Sequence, residues 1–235
     1  MHLRGTWMKY ISHLILYIAI LSCILIIKSS SEPLLLEELG FMLGQFSYGN
    51  EIVFNLSCGM LVSIWFYILV VLLPEYFRRS RIKRNFISEY RVFRKQLILH
   101  ILSNSHEPYF TGLVEELADV AEFKKYFHTI VDENKNRWYM FSNNLSDKAL
   151  KEIVLEFEAF KEAITVLLLN VDVQDDEVVS FLHRFKTVSI TLKGVSTEDY
   201  LAYKDLLRLL WEMLSGFTVE GYKNSDIFEE IFKKI

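Results

Sequence analysis

A chain of 235 residues has room for one set of membrane helices and one soluble domain of ordinary size. Its 51% hydrophobic content and mean hydropathy of +0.21 are high for a soluble protein and low for a many-pass transporter. The net charge of −4 conceals an asymmetry: residues 75–95 carry eight Lys/Arg against two Glu, whereas residues 96–235 carry 15 Lys/Arg against 24 Asp/Glu. A basic collar of +6 is thus joined to an acidic body of −9, and the two should attract different partners. The two cysteines, Cys23 and Cys58, both sit in apolar runs, which excludes a disulfide framework and a Cys-type zinc site.

Arg4 and Lys9 precede the first apolar run, Tyr10 to Ile27. Its length exceeds the usual core of a secretory signal and predicts a first membrane helix over about 10–27, although Ser29 and Ser31 imitate a cleavage site. The loop 28–51 holds Lys28 against Glu32, Glu37, Glu38 and Glu51, while both outer flanks are basic. The positive-inside rule then places both termini in the cytoplasm. Within that loop Pro33 opens a segment in which Leu35, Leu39, Met42, Leu43 and Phe46 recur at helical spacing, readable as a cap on the hairpin or as an amphipathic piece in the outer leaflet.

The second run, about 52–73, has 22 uncharged and mostly apolar residues, long enough to cross a bilayer. Asn55, Gly59 and Ser63 share one stripe of it, and Ala19 and Cys23 offer small residues on the first run. Small residues let backbones approach, and an amide in lipid needs a partner. Two readings stay open: packing of the two runs on each other, or self-association of several chains into a ring. Pro74 predicts a kink or break. The basic segment beyond it, with Arg78, Arg79, Arg81, Lys83 and Arg84, suits anionic lipid headgroups, a nucleic-acid phosphate backbone, or the acidic body of another subunit.

Past Pro74, Ile82, Phe86, Tyr90, Phe93, Leu97 and Ile101 step by three and four, predicting one helix with a core-facing stripe. A turn over 103–108 leads to a helix over about 109–131, with Leu113, Leu117, Val120, Phe127 and Ile130 inward and Asp119 and Glu122 outward. Residues 132–146 read as a connection holding Trp138, Tyr139 and Phe141. After Ser146 comes a helix with the seam Leu150, Ile153, Phe157, Phe160, Ile164 and Leu167. Residues 164–193 fit both a helix and, at Val188–Leu192, a strand; the acids Asp175, Asp176 and Glu177 favour a helix start. Further helices are predicted from Ser196/Thr197 to Gly216 and from about Ser225, the last with Ile227, Phe228, Ile231, Phe232 and Ile235 on its dry side.

The sequence therefore predicts an all-α protein: a two-helix transmembrane hairpin over 1–74 followed by a cytosolic helical bundle over 75–235. Chemistry is sparse. The nine glycines form no phosphate-cradling motif, and His128 with Asp132 lacks a third metal ligand, so no cofactor and no metal are expected. Arg94 and His100, with five residues between them, resemble the R-x4-6-H element of HEPN-type ribonucleases; the resemblance implies Arg94 stabilising phosphoryl charge and His100 as acid or base. Lys95 stands where that element often has a second polar residue.

The whole layout, a short membrane hairpin followed by a helical bundle without an enzyme motif, resembles the small two-transmembrane effectors of prokaryotic anti-phage systems of retron or cyclic-nucleotide-linked type. One class of these has a cytosolic helix before its first membrane helix, whereas nine residues precede Tyr10 here. The resemblance implies a non-enzymatic protein of the bacterial inner membrane that breaches the bilayer when a cytosolic protein or nucleoprotein regulator releases it, as a homo-oligomer. A non-catalytic membrane anchor or assembly factor, and a membrane-tethered ribonuclease in direct contact with RNA, are the alternatives.

Overall fold

The computed structural model describes residues 2–30, 46, 48–105, 108–132, 134–218, 221–223 and 225–235, with the backbone alone at 2–12, 111 and 132. The described chain is mostly helical, and it divides into two compact units, Met1–Ser80 and Arg81–Ile235.

In the first unit, α1 (His2–Ser29) packs on α2 (Asn50–Tyr67). Their seam is made of small hydroxyls: Ser22 and Ser57 are buried, and Ser22 Oγ lies 3.9 Å from Met60 Sδ. Ser29, also buried, donates back to the Leu25 carbonyl at 2.5 Å, satisfying a hydroxyl that apolar surroundings would otherwise penalise. Outside the seam the helices present Leu14, Leu16, Tyr17, Ile20, Leu56, Val62, Trp65 and Phe66 to the surroundings. Among the described residues one helix, running continuously from Asn50 to Ser103, carries a stretch long and apolar enough to cross a membrane; the apolar part of α1, His13–Ser29, is shorter. The amphipathic segment expected after Pro33 falls almost wholly outside the described residues. Its last residue, Phe46, is visible and receives the Lys28 ammonium 4.8 Å above its ring.

The expected break at Pro74 takes another form. A π-helical turn, Ile68–Leu72, precedes α3 (Leu73–Ser103), with the Leu73 N–H bonding to the Ile68 carbonyl five residues back. Proline brings no N–H to the helical ladder and crowds the preceding turn; the wider turn makes room, so the helix passes through.

The second unit is built around α3. Phe86, Tyr90, Phe93, Leu97, Ile98, Ile101 and Leu102 are all buried, as the stripe predicts. Against them lie α4 (Thr111–Glu116), α5 (Val120–His128), α6 (Arg137–Asn144), α7 (Asp147–Asn170), α8 (Asp176–Thr191), α9 (Tyr200–Ser215) and α10 (Ile227–Lys234). Among the described residues two short antiparallel hairpins interrupt the helices: β1 (Ile130–Asp132) with β2 (Lys135–Asn136), and β3 (Phe217–Thr218) with β4 (Gly221–Tyr222). The seam predicted for α7 is buried from Leu150 to Leu167, and residues 176–191 are helical rather than strand.

Aromatic rings fill the centre. Phe93 stacks on Phe160 at 4.7 Å and Tyr90 on Phe228 at 4.3 Å, while Phe86 stacks on Phe160 at 5.5 Å. Each buried ring removes enough apolar area to contribute about 1.5–3 kcal/mol, which is why this face of α3 organises the bundle. A second aromatic group joins Phe123, Phe127, Trp138, Phe141 and Trp211, with Trp138 and Trp211 at 4.9 Å.

Several boundaries differ from expectation. The single helix over 109–131 is two, because Asp119 turns its side chain to accept from the N–H groups of Ala121 and Glu122 and starts α5 afresh. Ile130, expected inward, is exposed in β1, and Phe123 takes the buried place. The connection over 132–146 contains α6, whose N-cap is Asn136. Helix α9 starts at Tyr200 after the Asp199 cap, since Thr197 is held instead by Asp147, and Gly216 ends it with φ 67°. In α10, Ile227 is half exposed rather than dry.

Candidate functional site

The polar centre of the bundle is Arg94. Its Nη1 lies 2.8 Å from Asp226 Oδ2, and both side chains are almost fully buried. Every face of the guanidinium is engaged: Nε donates to the Ala118 carbonyl at 2.9 Å, Nη2 to the Leu214 carbonyl at 3.0 Å, and Nη1 also to the Met213 carbonyl at 3.3 Å. Met213 and Leu214 are in the last turn of α9, whose carbonyls have no helical donor, so the cation stands at the negative end of that helix.

Asp226 completes the arrangement. Its Oδ1 accepts from the Phe228 N–H at 2.9 Å and caps α10, while Oδ2 takes Arg94 and the Tyr90 hydroxyl. Burial pushes the Tyr90 hydroxyl well above its ordinary titration range, so it serves as a donor. One ion pair thus ties α3, the turn after α4, the end of α9 and the start of α10. Removing one partner of such a pair leaves an uncompensated buried charge.

His100 is elsewhere. Its Nδ1 lies 3.5 Å from Glu152 and its Nε2 3.6 Å from Glu156, both on α7, so it faces carboxylates while Arg94 faces α9 and α10. Six helical positions apart, the two side chains leave α3 on different sides and meet no common point.

In the first unit the Asn55, Gly59 and Ser63 stripe runs along the edge of the α1–α2 seam and is not packed into it. All three residues are exposed and line a groove of about 480 Å³ with Ile18, Leu56, Met60 and Ile64. A methyl group placed on Gly59 would meet no atom within 4 Å, and Ser63 donates to the Gly59 carbonyl at 2.8 Å. Ala19 is half buried and Cys23 exposed; close packing between the helices uses Ser22 and Ser57 instead. Apolar spacing did not mark those two serines or Asp226, and it marked Tyr90 as a core position without its hydrogen bond to Asp226.

The collar splits in two. Glu75 accepts from Arg78 at 2.9 Å and from Arg79 at 2.7 Å, and these two hydrogen bonds hold its carboxyl at about 2. In the second unit Lys83 donates to the Ile235 carbonyl, while Arg81 and Arg84 are exposed and meet no carboxylate among the described residues. No cluster of metal-ligating side chains occurs among the described residues. No protein-family model, no curated protein and no solved structure matches this chain.

Proposed function

We propose that this chain is a membrane-anchored effector of anti-phage defence that permeabilises the bacterial inner membrane when its cytosolic bundle is released by a protein or nucleoprotein regulator. In this reading α1 and the apolar part of the Asn50–Ser103 helix form a two-pass hairpin with both termini in the cytoplasm. Arg81 and Arg84 lie on anionic headgroups. The observation that carries the reading is the open stripe of Asn55, Gly59 and Ser63 on the apolar helix: its groove is unfilled, yet an amide in lipid requires a partner. A second copy supplies that partner, and several copies are needed because two helices per chain enclose no channel.

The continuity of the helix from Asn50 to Ser103 supports a reading in which the helix after Pro74 transmits the regulator's change. Its last part is the buried spine of the bundle, so a regulator that repacks the bundle acts directly on the helix carrying the stripe. Expression without the regulator should depolarise cells, and Gly59→Leu with Ser63→Leu should remove depolarisation while membrane insertion persists. Unchanged potential under strong expression, with a stable partner complex, identifies a non-catalytic anchor instead. The ribonuclease reading has less support, since each donor group of Arg94 is occupied inside the bundle.

A further inference from the structure

We propose that the bundle carries a phosphate-binding pocket where α5 meets the β3–β4 hairpin. A cavity of about 470 Å³ opens there, in the size range of small-ligand sites. Lys124, Lys125, His128 and Lys223 stand around it in a body that is otherwise acidic. Lys125 is paired with Glu122 at 3.2 Å, but Lys124 and Lys223 have no carboxylate partner among the described residues. Asp119, just before α5, spends its side chain on the α5 cap.

The Lys124 ammonium is placed rather than loose. Lys124 Nζ lies 3.6 Å above the Tyr222 ring, and the Tyr222 hydroxyl is 3.2 Å from His128 Nε2. The imidazole in turn stands edge-on to Trp211 at 5.1 Å. Tyr222 therefore positions an ammonium with its face and an imidazole with its hydroxyl. The backbone of Lys223, from which its side chain reaches the cavity rim, is held by an N–H bond to the Gly216 carbonyl at 2.8 Å. Two ammonium groups without a carboxylate partner among the described residues, beside an imidazole, suit a compact dianion with several acceptor oxygens, which is a phosphate group. The phosphate can belong to a soluble nucleotide or polyphosphate, or to a lipid headgroup. The site rests on the bundle's own residues and stands whether or not the chain breaches a membrane.

Lysine footprinting by mass spectrometry tests this on the full chain in neutral phosphatidylcholine nanodiscs. Acetylation of Lys124 and Lys223 is followed with pyrophosphate, with ATP, and with phosphatidylglycerol added to the disc. Occupancy should slow both lysines about tenfold, the discrimination expected of charge-assisted hydrogen bonds, and leave Lys148, 88% exposed outside the pocket, unchanged. Protection of Lys124 should be lost in Lys223→Gln and in Tyr222→Ala, with the helical circular dichroism intact. Protection by pyrophosphate or ATP assigns a soluble ligand, and protection in phosphatidylglycerol discs alone assigns a headgroup. Absence of protection in every arm, or equal slowing at Lys148, overturns the site.

Discussion

Arg94 and Asp226 form a buried ion pair at 2.8 Å across 132 positions of sequence, and the carboxylate of that pair is also the cap of α10. Arg94→Ala should therefore lower stability by about 3–5 kcal/mol, because Asp226 is left charged in an apolar setting. Asp226→Ala should cost about as much and fray α10 as well. The double change Arg94→Ala with Asp226→Ala should cost less than the sum of the two, with a coupling of about 0.5–3 kcal/mol in a double-mutant cycle followed by circular dichroism.

Gly216 ends α9 with positive φ, and a methyl group there would sit 2.4 Å from the Lys223 carbonyl oxygen and 2.7 Å from Val120 Cγ1. Gly216→Ala should destabilise the bundle by about 2–4 kcal/mol, combining the left-handed penalty with overpacking. Gly59→Ala, with nothing to meet, should leave the melting midpoint unchanged. Equal losses at both sites would contradict the geometry.

Ser22 and Ser57 occupy the α1–α2 seam. Ser57→Leu should cost about 1–3 kcal/mol by forcing the helices apart, whereas Ser63→Leu should leave their packing intact and act on assembly alone. Cross-linking between engineered cysteines on α1 and α2 separates the two outcomes.

Glu75 has its carboxyl held at about 2 by hydrogen bonds from Arg78 and Arg79. Its folded value is depressed below the ordinary 4.5, so its stabilising contribution is full above about 4.5 and is lost as pH falls through about 2. Carbon-13 titration of the Glu75 carboxyl should find the low value, and Arg78→Gln with Arg79→Gln should return it toward 4.5.

Helical seams were legible because burial in a helix imposes a spacing of three and four on apolar residues, and the stripes on α3 and α7 follow it throughout. The break at Asp119 was not, since an acid on an exposed face and an acid turned back to cap a helix have the same local pattern. For the same reason 132–146 read as a connection: Asn136 caps α6 through a geometry that composition does not encode. The polar centre was half visible. Arg94 was singled out for its spacing to His100, while its true partner, Asp226, stands too far along the chain for any local pattern to reveal. In the apolar helices, Asn55, Gly59 and Ser63 were recognisable as a stripe, but which side of the helix faces α1 depends on long-range packing.

The stacking of Phe228 on Tyr90 also bears on how the protein is made. Tyr90 lies on α3 and Phe228 on α10, 138 positions later, so the ring face of α3 stays uncovered while the helices between them are synthesised. A message ending before α10 would yield a chain with a bare aromatic face, no cap carboxylate and an unpaired Arg94. Such a product should be captured by chaperones and degraded, which makes the arrival of α10 a point of quality control for the bundle.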